Sequence, residues 1–191
     1  MIRRLWAPVA LTLLVLNGCS TRSASPEVKQ LHQEVKQLNR EMNQLTREAA
    51  ALEQQNLLNS HSIQGAWLLP MASSSVTLRT QLGELRLSLT QIENEASGTR
   101  ANLNIRAAGE QPLPALRARV AWGELDPVSG KPLNADALSQ SIEVPASLLP
   151  QSAVVVPLRL SGISPEQLGF VRVHDVVPLS AAQSTQQQAA P

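Results

Sequence analysis

Leu116-Arg117-Ala118-Arg119-Val120-Ala121-Trp122 places an apolar residue at every second position, the period of a strand with one buried face. The same period recurs on both sides of it. Leu85, Leu87 and Leu89 alternate with Arg86, Ser88 and Thr90, and Leu103, Ile105 and Ala107 alternate with Asn102, Asn104 and Arg106. Val154, Val156, Leu158 and Leu160 alternate with Val155, Pro157 and Arg159. Weaker strand patterns cover 65–69, 76–79, 140–144 and 169–177. Turn residues separate the runs: Ser97-Gly98, Ala108-Gly109-Glu110, Asp126-Pro127-Val128-Ser129-Gly130-Lys131-Pro132 and Ser164-Pro165-Glu166. Seven or eight short strands within residues 60–179 predict a mainly β fold, an immunoglobulin-like β-sandwich. The paired cysteines of antibody domains are missing, so the prediction concerns architecture alone. Pro157 has no N–H to give a ladder and predicts an edge strand or a bulge. Trp67 and Trp122 are expected in the core.

Toward the N-terminus the period changes. Val28, Leu31, Val35, Leu38, Met42, Leu45, Ala49 and Leu52 follow at alternating steps of three and four. Neither Gly nor Pro interrupts Glu27 to Asn59, and the intervening Gln, Glu, Lys and Arg are good helix formers. A helix over 28–59 follows, on the order of 50 Å long at 1.5 Å per residue. So narrow a seam points to a coiled coil, and Val before Leu in the heptad leans toward a parallel dimer. Asn56 falls on the same seam, where a buried Asn sets register. Glu27, Glu34, Glu41 and Glu48 line one shoulder, and His32, Asn39, Thr46 and Glu53 the other. Opposite-charge pairs are therefore scarce, and Glu48 would meet Glu53. The alternative is a lone amphipathic helix packed on its own domain or on a partner's helices.

The N-terminus reads as an address. Arg3 and Arg4 precede an apolar run from Leu5 to Leu16 that ends in small residues, the order of a secretory signal. About a dozen apolar residues cannot span the roughly 30 Å core of a bilayer. Leu16-Asn17-Gly18-Cys19 resembles a lipobox, which implies cleavage before Cys19 and diacylation of its thiol. Three acyl chains on the mature cysteine would anchor the protein firmly. Ser20 after the cysteine favours the outer membrane, by resemblance to other bacterial lipoproteins. The expected order is signal peptide 1–18, lipidated tether 19–27, helix 28–59, sandwich 60–179 and a disordered polar tail 180–191.

Composition excludes several functions. Without Arg3 and Arg4, 14 of the 16 basic residues remain against 15 acidic ones, a balance unlike that of a nucleic-acid binder. With three Trp, one Phe and no Tyr, stacking platforms for sugars or single-stranded nucleic acid are not expected. A single cysteine gives neither a disulfide framework nor a thiolate metal site. No cofactor is expected. His32 and His61 lack a carboxylate at metal-ligand spacing. His174-Asp175 is the one adjacent pair of catalytic type, but neighbours on a strand point to opposite faces and should not cooperate. Asp126 to Lys131 reads as an Asp-initiated turn rather than a phosphate loop. Arg86, Arg106, Arg117 and Arg119, together with Arg159 and Arg172, are expected in a basic row on one outer sheet face. That row is the candidate surface for an anionic glycan or lipid head group.

Several stretches together carry a resemblance. Ala49-Ala50-Ala51-Leu52-Glu53-Gln54-Gln55-Asn56, Leu68-Leu69-Pro70, Gly98-Thr99-Arg100-Ala101-Asn102-Leu103, Val120-Ala121-Trp122-Gly123 and Leu168-Gly169-Phe170-Val171-Arg172-Val173-His174-Asp175 resemble the YajI-like lipoproteins of enterobacterial type. The resemblance spans essentially the whole chain and implies a sandwich fold and an envelope location. It implies no activity and transfers no catalytic residue. Leu31 to Leu45 is also similar to the heptads of the murein lipoprotein, which fastens to peptidoglycan through a C-terminal lysine. This chain ends Gln186-Gln187-Gln188-Ala189-Ala190-Pro191, so covalent attachment is not carried over. The expectation is a non-enzymatic outer-membrane lipoprotein facing the periplasm, self-associating or meeting another envelope protein through its helix. Non-covalent peptidoglycan binding is the alternative.

Overall fold

A computed structural model describes residues 26–62 and 65–179. The signal, Cys19, most of the tether and the tail from residue 180 lie outside these. One helix, α1 (Pro26–Ser60), precedes eight strands. They are β1 (Ala66–Leu68), β2 (Val76–Thr80), β3 (Gly83–Glu95), β4 (Gly98–Ala107), β5 (Leu116–Gly123), β6 (Leu138–Val144), β7 (Ala153–Ser161) and β8 (Phe170–Pro178). Every run with a two-residue period is a strand, including the four weaker ones.

The strands form two four-stranded antiparallel sheets, ordered β1-β8-β5-β6 and β2-β3-β4-β7. Alternation explains the layering. Leu85, Leu87, Leu103 and Ile105 of the second sheet share one core with Leu116, Val120, Trp122 and Val173 of the first. Trp122 also donates its ring N–H to the Ser161 carbonyl, 3.2 Å away. Pro157 lies on β7, an edge strand, where a missing N–H costs least. Thr99, buried in β4, donates its hydroxyl to the Ile163 carbonyl at 2.8 Å.

The chain divides into two compact units, and the second begins at Gln44, inside α1. The change of period places that boundary at residue 60 instead. The reason is a second apolar cluster on the outer side of the first sheet. Trp67, Leu69, Ala72 and Phe170 are buried there, and Ala51 and Leu58 of α1 pack against them. Trp67 and Phe170 meet edge to face, with ring centroids 5.1 Å apart.

Polar groups hold the same helical turns in place. Asn59 accepts from the Trp67 N–H at 2.9 Å and donates to the Trp67 carbonyl at 2.8 Å. Gln55, only 1% exposed, accepts from the Leu69 N–H at 2.8 Å and donates to Ser74 Oγ at 2.7 Å. β1 pairs with β8 on one side only, so these amides satisfy backbone groups on its open side. Gln54 adds a bond to the Gly130 carbonyl at 2.9 Å, in the loop after β5. That loop is built by Asp126, whose carboxylate accepts from Val128 N–H, Ser129 N–H and Ser129 Oγ. The expected Asp turn is thus present.

Asn59→Ala should lower stability by about 1–3 kcal/mol, because it leaves a strand N–H and carbonyl without partners. A thermal melt should fall by several degrees, and an unchanged melt would contradict the docking described. Gly98→Ala should be more severe. At φ +152° an added Cβ would stand 2.3 Å from the Leu160 carbonyl oxygen, so the β4–β7 pairing must shift. Serine donors hold the Asp126 carboxyl below the ordinary carboxylate range. Its contribution is complete above about pH 4 and is lost as pH falls through the lowered value. The Gly130 amide resonance should report that loss on acidification.

Candidate functional site

Three surfaces carry the residues singled out by sequence. The first is the heptad seam. In the first unit Val28, Leu31, Val35, Leu38 and Met42 are exposed, Leu31 at 60% and Leu38 at 64%. In the second unit Leu45 and Leu52 are exposed as well, at 64% and 39%, and so is Ala49. The turns that dock on the sandwich use Ala51, Gln54, Gln55, Leu58 and Asn59 instead. At 100° per residue, that face lies about a third of a turn from Leu45, Ala49, Leu52 and Asn56. Packing on its own domain therefore does not use the seam. Beside the seam a hydrogen bond recurs every seven residues: Gln30 to Glu34 at 3.1 Å, Gln37 to Glu41 at 2.9 Å and Gln44 to Glu48 at 3.0 Å. It aligns one shoulder of the apolar row.

The second surface is the set of arginines, and here the structure corrects the expectation. Arg86 and Arg106 lie on β3 and β4, and Arg159 on β7, all in the second sheet. Arg117, Arg119 and Arg172 belong to β5 and β8 of the first. Each set points away from the shared core, so the two sets face opposite sides of the sandwich. A single basic row does not form, because β4 and β5 are consecutive in sequence but belong to different sheets. Arg117 is also neutralised by Glu143 at 2.8 Å, and Arg172 lies 4.8 Å from the Trp67 ring centroid.

The third surface is His174-Asp175, where strand geometry is broken. Arg117 pairs with Val177 and Arg119 with His174, so Asp175 and Val176 together oppose Ala118. This is a β-bulge, and Asp175 takes the left-handed conformation at φ +52°. The kink brings both side chains together: His174 Nδ1 is 3.0 Å from Asp175 Oδ2. Arg119 Nη1 is 4.0 Å from the same oxygen. The expectation that the pair points to opposite faces therefore fails. Val173-His174-Asp175-Val176-Val177 carries no glycine or break that marks the bulge; only the tolerance of Asp for left-handed backbone hints at it. His174 and Asp175 border an open notch of about 320 Å³ shared with Arg79 and Thr80. No hydroxyl or thiol among the described residues hydrogen-bonds His174, and the Thr80 hydroxyl in the same notch donates to the Gly83 carbonyl.

Among the described residues no cluster of His, Cys, Asp and Glu is placed to hold a metal, and no helix is long and apolar enough to cross a membrane. Cys19 lies outside the described residues.

Comparison with known proteins places the chain. The family model described as "Protein of unknown function (DUF3251)" matches residues 19–183. The uncharacterized lipoprotein YajI of Escherichia coli K12 is 40% identical over 168 residues, covering 88% of this chain and 92% of YajI. Its solution NMR structure superposes with a TM-score of 0.64 over 70% of this chain and 79% of that one. The trimeric lipoprotein SadB of Salmonella enterica, 18% identical, shares the fold with a TM-score of 0.52, over 80% of this chain and 90% of SadB. The match over residues 19–183 and the 40% identity to YajI make this chain a member of the DUF3251 family, as a YajI-like protein.

Proposed function

We propose that this protein is a lipid-anchored envelope lipoprotein, held at Cys19 in the outer membrane and facing the periplasm. Its helix self-associates, and its sandwich head is displayed for contact with other envelope components. The relatives named as lipoproteins and the lipobox-like Leu16-Asn17-Gly18-Cys19 support the anchor. Ser20 supports the outer membrane.

One observation carries self-association. The sandwich holds α1 through Ala51, Gln55, Leu58 and Asn59, yet the apolar row from Val28 to Leu52 stays in water. Burying a Leu side chain contributes roughly 1.5–3 kcal/mol, so four seam leucines in each copy are a substantial drive toward a second helix. Val before Leu in the first two heptads favours a parallel arrangement of few strands, with Met42 and Ala49 at the same position in the next two. The Salmonella lipoprotein that shares the fold is described as trimeric, which is compatible with such a helix. The seam ends where the head begins, because Asn59 is committed to Trp67.

We read the head as immunoglobulin-like and non-catalytic. Consecutive β4 and β5 enter different sheets, as do β7 and β8, and the pairs β4·β7 and β5·β8 correspond to strands B·E and C·F of that fold. In support of a binding role, His174 and Asp175 line an open notch, and Arg119 Nη1 lies 4.0 Å from the Asp175 carboxylate. A His174→Ala strain should therefore keep its envelope phenotype.

Sedimentation equilibrium of the full chain in detergent should give an oligomer, and Leu38→Asp/Leu45→Asp should give monomers with an unchanged head melt. Monomeric wild-type protein would exclude self-association. Cys19→Ala should abolish palmitate labelling and move the protein out of the membrane fraction; retained labelling would exclude Cys19 as the anchor.

A further inference from the structure

The head contains eight arginines: Arg79, Arg86, Arg100, Arg106, Arg117, Arg119, Arg159 and Arg172. Six have an acidic or aromatic partner. Arg79 pairs with Glu84, Arg100 with Glu93, Arg117 with Glu143, Arg159 with Glu95 and Arg119 with Asp175, while Arg172 lies over Trp67. Arg86 and Arg106 have no carboxylate partner among the described residues, and they stand directly opposite each other across β3 and β4. Facing like charges on neighbouring strands are destabilising, with Cβ atoms only about 4.5–5.5 Å apart. Glu84, two residues along β3 from Arg86, is bonded to Arg79 at 2.9 Å.

Arg106 is also held still by neutral acceptors. Its Nε donates to the Gln151 carbonyl and its Nη2 to Gln151 Oε1, both at 3.1 Å. Gln151 adopts φ +60° and is braced by a bond from its own Nε2 to the Ala108 carbonyl. A left-handed glutamine thus positions a guanidinium without neutralising it. The next outward rows across β3 and β4 are Ser88–Asn104 and Thr90–Asn102, hydroxyls and amides, flanked on β7 by the exposed Val155 and Pro157.

We propose that Arg86 and Arg106 form an oxyanion-binding site for a carboxylate of a glycopeptide polymer, the chemistry of the bacterial cell wall. Guanidiniums on side chains rooted at facing positions can reach one carboxylate with charge-assisted bonds, Arg106 through the N–H groups that Gln151 does not take. The hydroxyl and amide rows then offer partners for the peptide groups and sugar hydroxyls that flank it. An acyl-chain surface would need large apolar side chains around the pair, whose own row is completed by Thr77 and Ala153, while the exposed Val155 and Pro157 stand beside the next two rows. The proposal rests on the envelope placement argued above, but its test in solution does not depend on the anchor or on self-association.

The full chain in detergent is co-sedimented with purified sacculi. The wild type should pellet in a salt-sensitive manner, and Arg86→Ser and Arg106→Gln should each weaken binding about tenfold or more. Arg117→Gln, on the other sheet, should bind as the wild type does. Arg86→Ser removes a like-charge contact and should melt no lower than the wild type, so its lost binding would not reflect unfolding. Sacculi whose carboxylates have been converted to neutral amides should not compete. Three results would overturn the proposal: no pelleting of the wild type, pelleting indifferent to both substitutions, or equal loss with Arg117→Gln. Preferential binding to phosphatidylglycerol vesicles over sacculi would also overturn it, by assigning the pair to lipid phosphate.

Discussion

The open side of β1 is the constraint on which the rest of the molecule turns. A three-residue edge strand presents backbone groups that water or another chain will claim unless the protein covers them. Two amide side chains one helical turn apart do so. Asn59 takes both the N–H and the carbonyl of Trp67, as a neighbouring strand would, and Gln55 takes the N–H of Leu69. Geometry that specific fixes the rotation of the last turns of α1. The indole of Trp67, flanked by Phe170, Ala51 and Leu58, then supplies the apolar burial that makes the contact persist.

Fixing that rotation has a consequence for function. The head consumes one face of the helix, and the heptad face is left over, a third of a turn away. A row of leucines in solvent is unfavourable for a monomer and natural for a helix that meets its copies. The same logic separates the two sides of the sandwich. The outer face of the first sheet is partly covered by α1 and its arginines are engaged. The outer face of the second sheet keeps an uncompensated arginine pair above rows of hydroxyl and amide groups. The proposed self-association and the proposed ligand contact thus fall on different surfaces.

The strands were legible because burial on one face forces a period of two, and that signal survives even in short runs such as 66–68. Pro157 and Asp126 were legible for equally local reasons, a missing N–H and a carboxylate that bonds its own turn. What escaped depends on pairing across the chain. Arg106 and Arg117 are eleven residues apart, yet the chain changes sheet between them and they end on opposite sides. The bulge at Asp175 has no glycine to announce it. Gln55 and Asn59 look like ordinary helix filler next to the seam residue Asn56, since their partners lie in a strand that the helix has not yet reached. Local chemistry reads from sequence, whereas side-chain to backbone closure of an edge needs the fold.

The central claim is that one helix serves the head with one face and its own copies with another. Disulfide crosslinking in cells tests it most directly, with a single cysteine placed at Leu45 on the seam or at Arg47, also exposed but off the seam. A parallel seam predicts rapid self-crosslinking through position 45 and little through position 47. Equal yields at both positions, or none at 45, would contradict it.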